Sequence, residues 1–218
     1  MKKYNIKIKI FALLIVVSAC SDSQNNSRVD TLPFYEDASF TPSWLTPHSK
    51  EANAFHAIPV FSLTNQHGDS ITEKSINGKI TVVDFFFTTC PGICPKMTTN
   101  MAVLQDSFMN NDHVVLLSYS VTPEIDSVPT LAAYAERKNI TSPNWHLLTG
   151  DRKQIYDLGR KAYFVEEDLG ETKSDEDFLH TENFVLLDGD RHIRGIYNGL
   201  NKAAIQQLVA DIRTLKGD

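Results

Sequence analysis

The 218-residue sequence lacks a basic excess, a long apolar run and any internal repeat. Its 21 Lys and Arg stand against 27 Asp and Glu, so it is not a general binder of phosphate backbones, which needs a basic face. Hydrophobic residues make up 42%, which excludes wholesale disorder. The length accommodates one domain plus a tail.

The N-terminus predicts an export signal. Four lysines are the only charges before Cys20, and the apolar run from Ile10 to Val17 is too short to span a bilayer. Val17-Ser18-Ala19-Cys20 resembles a bacterial lipobox, in which the cysteine is lipidated. An ordinary cleaved signal with an incidental cysteine is the alternative.

We therefore divide the chain into a lipoprotein signal peptide (1–19), a flexible tether and arm (20–52) and a folded domain (53–218). Residues 21–50 are rich in Ser, Asn, Asp, Thr and Pro, which is typical of a tether. A lipid on Cys20 would anchor the domain to a membrane of the bacterial envelope, facing outside the cytoplasm. Without the four leading lysines, 17 basic and 27 acidic residues remain, a net charge of −10.

From residue 58 onward the sequence alternates strand and helix patterns. A hairpin (58–72) precedes the continuous apolar run from Lys79 to Phe87, which is typical of a central strand buried on both faces. Helical spacing of apolar residues predicts helices at 93–109, 131–137, 155–163 and 205–215, and strands are predicted at 114–121, 145–148, 184–188 and 193–197. This order predicts one α/β domain with a thioredoxin-like mixed sheet, helices on both faces and an added N-terminal β-hairpin.

The two remaining cysteines lie in Thr88-Thr89-Cys90-Pro91-Gly92-Ile93-Cys94-Pro95, where the central strand ends and a helix begins. Free N–H groups and the helix dipole there should lower the pKa of both thiols. Four-residue spacing should place both sulfurs on one face of the first helical turn, close enough to bind one metal or to form a disulfide. A structural disulfide is the alternative, but so short a loop restrains the unfolded chain little.

Two thiolates leave a metal site incomplete, so a third ligand is needed. Among the seven histidines, His180 ends an acidic stretch and immediately precedes the strand at 184–188. Taken alone, any histidine is more often a surface or core residue than a ligand.

The segment from Val83 to Pro95 resembles the Cys-x-x-x-Cys-Pro signature of the Sco/SenC family, thioredoxin-fold copper-binding assembly factors for cytochrome c oxidase. Further matches are Tyr119 to Pro129, Leu147 to Gly150, Ala162-Tyr163 and the His180 segment with Asp188-Gly189, so the likeness covers roughly residues 55–215. The resemblance implies that Cys90, Cys94 and His180 are the copper ligands. It departs from the family pattern at Leu179, where an Asp is common, and at Thr122-Pro123, where Asp-Pro is usual. Both departures put in doubt which carboxylate orients the imidazole.

Two soft thiolates and an imidazole suit Cu(I) and can hold Cu(II), whereas zinc would prefer a fourth ligand. The same thiols can instead form a disulfide, which releases the metal, or reduce a partner's disulfide. Met97 and Met101 follow the apolar stripe of their helix, so we expect packing rather than metal ligation. The acidic stretch 166–182 is interpreted as a solvated loop, with docking of a basic partner as the alternative.

The leading hypothesis is a membrane-tethered copper chaperone or thiol-redox factor that serves the copper-site subunit of a terminal oxidase or another cuproprotein. It implies a copper donor or a thiol reductant as a second partner, and no nucleic acid. The first alternative is a thioredoxin-type oxidoreductase. It is disfavoured because three residues stand between the two cysteines, rather than the two of a Cys-x-x-Cys motif, and because no Pro precedes the strand at 184–188. A peroxidase of peroxiredoxin type would need Thr where Phe87 stands. A redox or copper sensor stays open.

Overall fold

A computed structural model describes residues 27–166, 178–179 and 181–216. The predictions for the signal peptide, Cys20, most of the acidic stretch and His180 lie outside these residues. In chain order the elements are α1 (Lys50–Asn53), β1 (Ser62–Thr64), β2 (Ser70–Thr72), α2 (Glu73–Ile76), β3 (Ile80–Phe86), α3 (Cys94–Phe108), β4 (Val114–Ser120), α4 (Val128–Arg137), β5 (Trp145–Leu148), α5 (Arg152–Asp157), β6 (Asn183–Leu187), β7 (Ile193–Asn198) and α6 (Lys202–Leu215). A single π-helical turn, Leu158–Ala162, continues α5.

The main sheet has the order β5-β4-β3-β6-β7, with β3 in the centre. β3 pairs in parallel with β4 and antiparallel with β6, and β6 and β7 form an antiparallel hairpin. Every residue of β3 and β4 is buried, as expected for strands covered on both faces. β1 and β2 form the separate antiparallel hairpin predicted from the sequence.

Two apolar layers enclose the sheet. Alternation along β3 sends Val82 and Phe86 to the layer beneath α3, α4 and α6, and sends Val83 and Phe85 to the layer beneath the β1–β2 hairpin and α5. Met97 and Met101 are fully buried in the first layer, in agreement with the packing role expected of them. No helix in the described part of the chain is long and apolar enough to cross a membrane.

Residues 28–52, where the sequence predicts a tether that leads into an extended, partly ordered arm, lie against the domain. Leu32 and Phe34 are buried, and the Tyr35 N–H donates to the Ile193 carbonyl at 3.0 Å, adding a bridge outside edge strand β7. The arm packs here because Arg194 of β7 is a buried cation that needs several hydrogen-bond acceptors, and the arm supplies some of them. Contacts between the arm and the domain are therefore present from residue 28 onward in the described part of the chain.

Arg194 clamps the arm through all three guanidinium nitrogens. Nε and Nη2 donate to the carbonyls of Pro33 (3.0 Å) and Leu32 (2.6 Å), and Nη1 donates to Asp188 at 3.0 Å. The guanidinium carbon also lies 3.9 Å from the centre of the Phe34 ring. The arm is thus held by charge-assisted hydrogen bonds inside the protein, where water does not compete.

Replacing Arg194 with Met should destabilise the protein by about 3–5 kcal/mol, because the Asp188 carboxylate and two arm carbonyls lose their donor in a buried place. Urea unfolding measures the change. Lys202→Met, which removes an exposed cation, is the matched control and should stay within about 0.5 kcal/mol of wild type. Equal midpoints for the two variants would contradict the clamp.

Candidate metal and dithiol site

The candidate site lies where β3 gives way to α3. β3 ends at Phe86 and α3 begins at Cys94, with Pro95 in its first turn. Ile93 occupies the N-cap position and makes no side-chain cap hydrogen bond, so the first backbone N–H groups of the helix are open to another acceptor. That acceptor is a cysteine sulfur.

Cys90 is half-buried and is not bonded to another cysteine. Burial opposes its ionisation, but hydrogen bonds to its sulfur from the Cys94 thiol and from the backbone N–H groups of Cys94, Gly92 and Ile93 outweigh burial and lower its pKa. Cys90 itself precedes the helix, so the expectation that both cysteines lie on the first helical turn is wrong. The loop, rather than helical spacing, brings the two thiols together.

Cys94 has the opposite character. Burial, with a smaller effect of its hydrogen bond to the Cys90 sulfur, raises the pKa of its thiol to about 12, although the hydrogen bond from the Phe87 N–H acts in the opposite direction. The expectation that the helix terminus lowers both pKa values is therefore wrong for Cys94, because desolvation of the thiolate outweighs the dipole. The pair consists of one accessible nucleophile and one buried proton donor.

Phe87 connects the central strand to both thiols. Its N–H donates to the Cys94 sulfur, and its carbonyl accepts from the Cys90 N–H at 3.3 Å. Its ring packs against both apolar layers of the domain. A displacement of this one residue would therefore alter the surroundings of both sulfurs.

Asp126, fully buried in the loop after β4, fixes the start of the cysteine loop. Its carboxylate accepts the Thr88 N–H at 3.1 Å and the Thr88 hydroxyl at 2.5 Å. The hydroxyls of Ser120 (2.6 Å) and Thr122 (3.1 Å) donate to the same carboxylate. These four bonds tie the backbone two residues before Cys90 to the end of β4, so the loop enters the site in a defined direction.

Asp84 is the one charged side chain in the buried strand β3. Burial raises the pKa of its carboxyl to about 7, although the Ser118 hydroxyl donates to it. Its Oδ1 has no hydrogen-bond partner among the described residues, and its charge in turn raises the pKa of Cys94. Sequence reasoning passed over Asp84, yet a single carboxyl in an otherwise apolar strand was the signal that could have found it.

Among the residues that the structure describes, no three His, Cys, Asp or Glu side chains form a group that could hold a metal ion. Cys90 and Cys94 are brought together as predicted, and His180 is outside the described residues. The residues that flank it are described. Phe178 meets the Phe87 ring with centroids 5.2 Å apart, and Leu179 and Thr181 are buried.

The unequal thiols predict an order of alkylation. At pH 8 iodoacetamide should modify Cys90 more than about 100-fold faster than Cys94, because the thiolate is the reactive species. Peptide mass spectrometry of quenched samples measures both rates. In urea the two cysteines should react alike, and equal rates in the folded protein would contradict the assignment.

Asp84 predicts a pH dependence of stability. Its folded pKa of about 7 lies above the ordinary value of 3.8. The free energy of unfolding is therefore highest below pH 4, where Asp84 is protonated in both the folded and the unfolded state, and it falls as pH rises through 7. The loss by pH 8 is up to about 4 kcal/mol. The difference in free energy of unfolding between Asp84→Asn and wild type should therefore favour the variant more at pH 8 than at pH 4, as measured by urea unfolding. Asp112→Asn, an exposed control, should not change the difference between the two pH values.

Comparison with known proteins places the chain in a family. The SCO1/SenC family model matches residues 49–217. The SCO1 protein homolog of Bacillus subtilis is 29% identical over 163 residues, which cover 73% of this chain and 82% of that protein.

Two solved structures share the fold. The structure of BsSco, described as a member of the Sco family of cytochrome c oxidase assembly proteins with a disulfide switch, superposes with a TM-score of 0.63 at 28% identity, covering 74% of this chain and 94% of that one. ScoI of Bradyrhizobium japonicum, solved with copper bound, gives 0.56 at 28% identity, covering 72% and 98%. The thioredoxin-like fold predicted from the sequence is confirmed. Because the family model matches most of its length, the chain belongs to the SCO1/SenC family.

Proposed function

We propose that this chain is a membrane-tethered copper-binding protein that delivers copper, or reducing equivalents, to the copper site of cytochrome c oxidase or of another cuproprotein. The observation that carries the proposal is the thiol pair at the start of α3, one sulfur accessible with a lowered pKa and the other buried beside it. The copper and oxidase assignments of the related Sco proteins support it.

The donor set fits copper. Thiolates are soft ligands that favour Cu(I), and the loop already directs three backbone N–H groups at the Cys90 sulfur, which stabilise negative charge there. Binding of the ion would displace the proton of Cys94, so copper affinity should rise with pH. An ion held by few ligands near the surface can pass to an incoming thiolate or imidazole of a partner.

We propose His180 as the third ligand, on the family resemblance and on the contacts of its neighbours. The Phe178 ring lies against Phe87, whose backbone bonds to both thiols. Leu179 is fully buried beside Gly159, where its Cδ1 would lie 2.6 Å from an added Cβ. These contacts favour a short separation between the chain at 178–179 and the cysteine loop. The apolar side chain of Leu179 cannot donate or accept the hydrogen bond by which an Asp side chain at this position could orient an imidazole.

Tethering is proposed from the sequence. Cys20, following the export signal of residues 1–19, is the proposed lipid attachment, which would hold the domain on the outer side of a bacterial membrane. The copper-site subunit of an oxidase is then a partner embedded in or bound to that membrane.

Copper titration tests the proposal. Anaerobically purified reduced protein should bind one copper ion per chain, and the Cu(II) form should show thiolate-to-copper charge-transfer absorption. Cys90→Ser, Cys94→Ser and His180→Ala should each weaken binding by at least about 100-fold, because each removes one of few ligands. His67→Ala, at the exposed turn between β1 and β2, is the matched control and should bind as wild type.

Two results would contradict parts of the proposal. If His180→Ala binds copper as tightly as wild type with the same absorption, the third ligand is another group. Two thiolates and one imidazole leave zinc one ligand short, so we expect the site to prefer Cu(I). If wild type takes up zinc in preference to Cu(I), the copper assignment fails.

The unequal thiols also favour a second function, reduction of a partner's disulfide. The Cys90 thiolate would attack one sulfur of that disulfide and release the other as a thiolate. Cys94, after losing its proton, would then attack Cys90 and release the second thiolate, leaving a Cys90–Cys94 disulfide. Turnover of insulin at rates typical of thioredoxins would promote this function over copper delivery.

A further inference from the structure

We propose that Asp126 is a positioning residue for the dithiol: through Thr88, it holds the cysteine loop (residues 88–92) in the shape that brings the Cys90 and Cys94 sulfurs together. The proposal rests on the proposed function, in which a copper ion or a disulfide bond joins these two sulfurs, and it names the group that prepares them. It follows from how few other bonds hold the loop, from the hydrogen bonds of the Asp126 carboxylate and from the fixed place of Asp126 in the fold.

The cysteine loop has little structure of its own. Thr89, Pro91 and Gly92 are exposed, so the apolar layers of the domain hold little of it. In the described part of the chain, its one hydrogen bond between backbone groups runs from the Cys90 N–H to the Phe87 carbonyl, and it is long, at 3.3 Å. The backbone N–H groups that bond to the Cys90 sulfur all follow Cys90 in the chain. They hold the end of the loop, and its beginning depends on another contact.

The Asp126 carboxylate supplies that contact. It accepts the Thr88 N–H at 3.1 Å and the Thr88 hydroxyl at 2.5 Å, so the first residue of the loop is held through its backbone and its side chain together. Asp126 is fully buried. Hydrogen bonds to a buried carboxylate are strong, because the acceptor is charged and water does not compete for it.

Asp126 is itself fixed by the scaffold. Its N–H donates to the Thr122 carbonyl at 2.9 Å, in the turn that follows β4, and α4 begins two residues later at Val128. The Ser120 hydroxyl, at the end of β4, donates to the same carboxylate at 2.6 Å. Because β4 is the parallel neighbour of β3, both strands end at the same edge of the sheet. Asp126 is therefore a rigid attachment point beside the cysteine loop.

A fixed beginning of the loop raises the effective concentration of each sulfur for the other. Without the bonds from Thr88 to Asp126, the loop has more backbone conformations while the sulfurs are apart, and it loses that freedom when a copper ion or a disulfide bond joins them. Fixing the backbone of one residue corresponds to a change of about fivefold or more in an equilibrium constant. The bonds to Asp126 therefore favour both joined states.

The thiol–disulfide equilibrium tests the proposal. The full chain is equilibrated at one pH with mixtures of oxidised and reduced dithiothreitol. In this reaction the Cys90 and Cys94 thiols pass two electrons and two protons to the oxidised reagent and form one disulfide bond. After acid quenching and alkylation, mass spectrometry of the peptide that carries both cysteines gives the ratio of disulfide to dithiol.

Thr88→Val removes the hydroxyl donor and keeps the branched shape of the side chain. It should shift the equilibrium toward the dithiol by at least about threefold, since the bond from the backbone N–H remains. The affinity for Cu(I), measured by competition with a chelator, should fall in parallel. An unchanged equilibrium, or a shift toward the disulfide, would overturn the proposal.

Two further variants separate positioning from general stability. Thr88→Ser keeps the hydroxyl and should have the equilibrium of wild type. Tyr197→Phe removes a hydroxyl that donates to another buried carboxylate, that of Asp211, at 2.7 Å between β7 and α6. In urea unfolding it should lose stability as Thr88→Val does, but its thiol–disulfide equilibrium should not change. Equal shifts in Tyr197→Phe and Thr88→Val would mean that lost stability alone moves the equilibrium.

Asp126→Ala connects the effect to the carboxylate. It should shift the equilibrium by at least about fivefold, and adding Thr88→Val to it should cause no further shift, because the hydroxyl has then lost its acceptor. If Thr88→Val has its full effect in this background, Thr88 acts without Asp126 and the assignment is wrong. If Asp126→Ala does not fold, Thr88→Val and Thr88→Ser decide the question by themselves.

The positioning role and the proposed function fail separately. If wild type neither binds copper nor reduces a partner's disulfide, the proposed function fails, whereas the dithiothreitol equilibrium still measures how Asp126 affects the two sulfurs. If wild type binds copper but Thr88→Val has the equilibrium of wild type, the positioning role alone fails.

Discussion

The hydrogen bond from the Cys94 thiol to the Cys90 sulfur, at the first turn of α3, is the interaction on which the chemistry of the site depends. Together with the burial of Cys94, it makes two residues of one type unlike each other: the pKa of the accessible Cys90 thiol is lowered, and the pKa of the buried Cys94 thiol is raised. The same arrangement suits a copper ion, which would take the place of the Cys94 proton. It also suits a Cys90–Cys94 disulfide, in which a sulfur–sulfur bond takes the place of both the proton and the copper. If copper binds at this pair as proposed, copper binding and disulfide formation exclude each other, because both use the same two sulfur atoms.

The rest of the domain holds that pair in place. β3, buried on both faces, carries the chain up to Phe87, and Asp126 ties Thr88 to the end of β4. On the other side of β3, Arg194 binds the arm to β7.

Much of the fold and of the dithiol site could be predicted from the sequence, and the features that could not be predicted have physical causes. The continuous apolar run of β3 and the helical stripe of Met97 and Met101 are local patterns, and both predictions are confirmed. The sequence predicts a partly ordered arm but not its attachment to Arg194, because its polar, Pro-containing composition says nothing of a buried arginine some 160 residues later. The rise in the pKa of Cys94 was missed for a similar reason, since burial depends on what packs above a residue.

The sequence by itself determined the order of the strands and of helices α3 to α6, the meeting of Cys90 and Cys94 at a helix start, and the membership of the SCO1/SenC family. Each of these depends on neighbours a few residues apart or on a motif. Only the tertiary structure decided which thiol has the lowered pKa, where Asp84 and Asp126 act, and how the arm packs against β7. Those properties arise from desolvation and from hydrogen bonds between distant segments, and neither is encoded in local spacing.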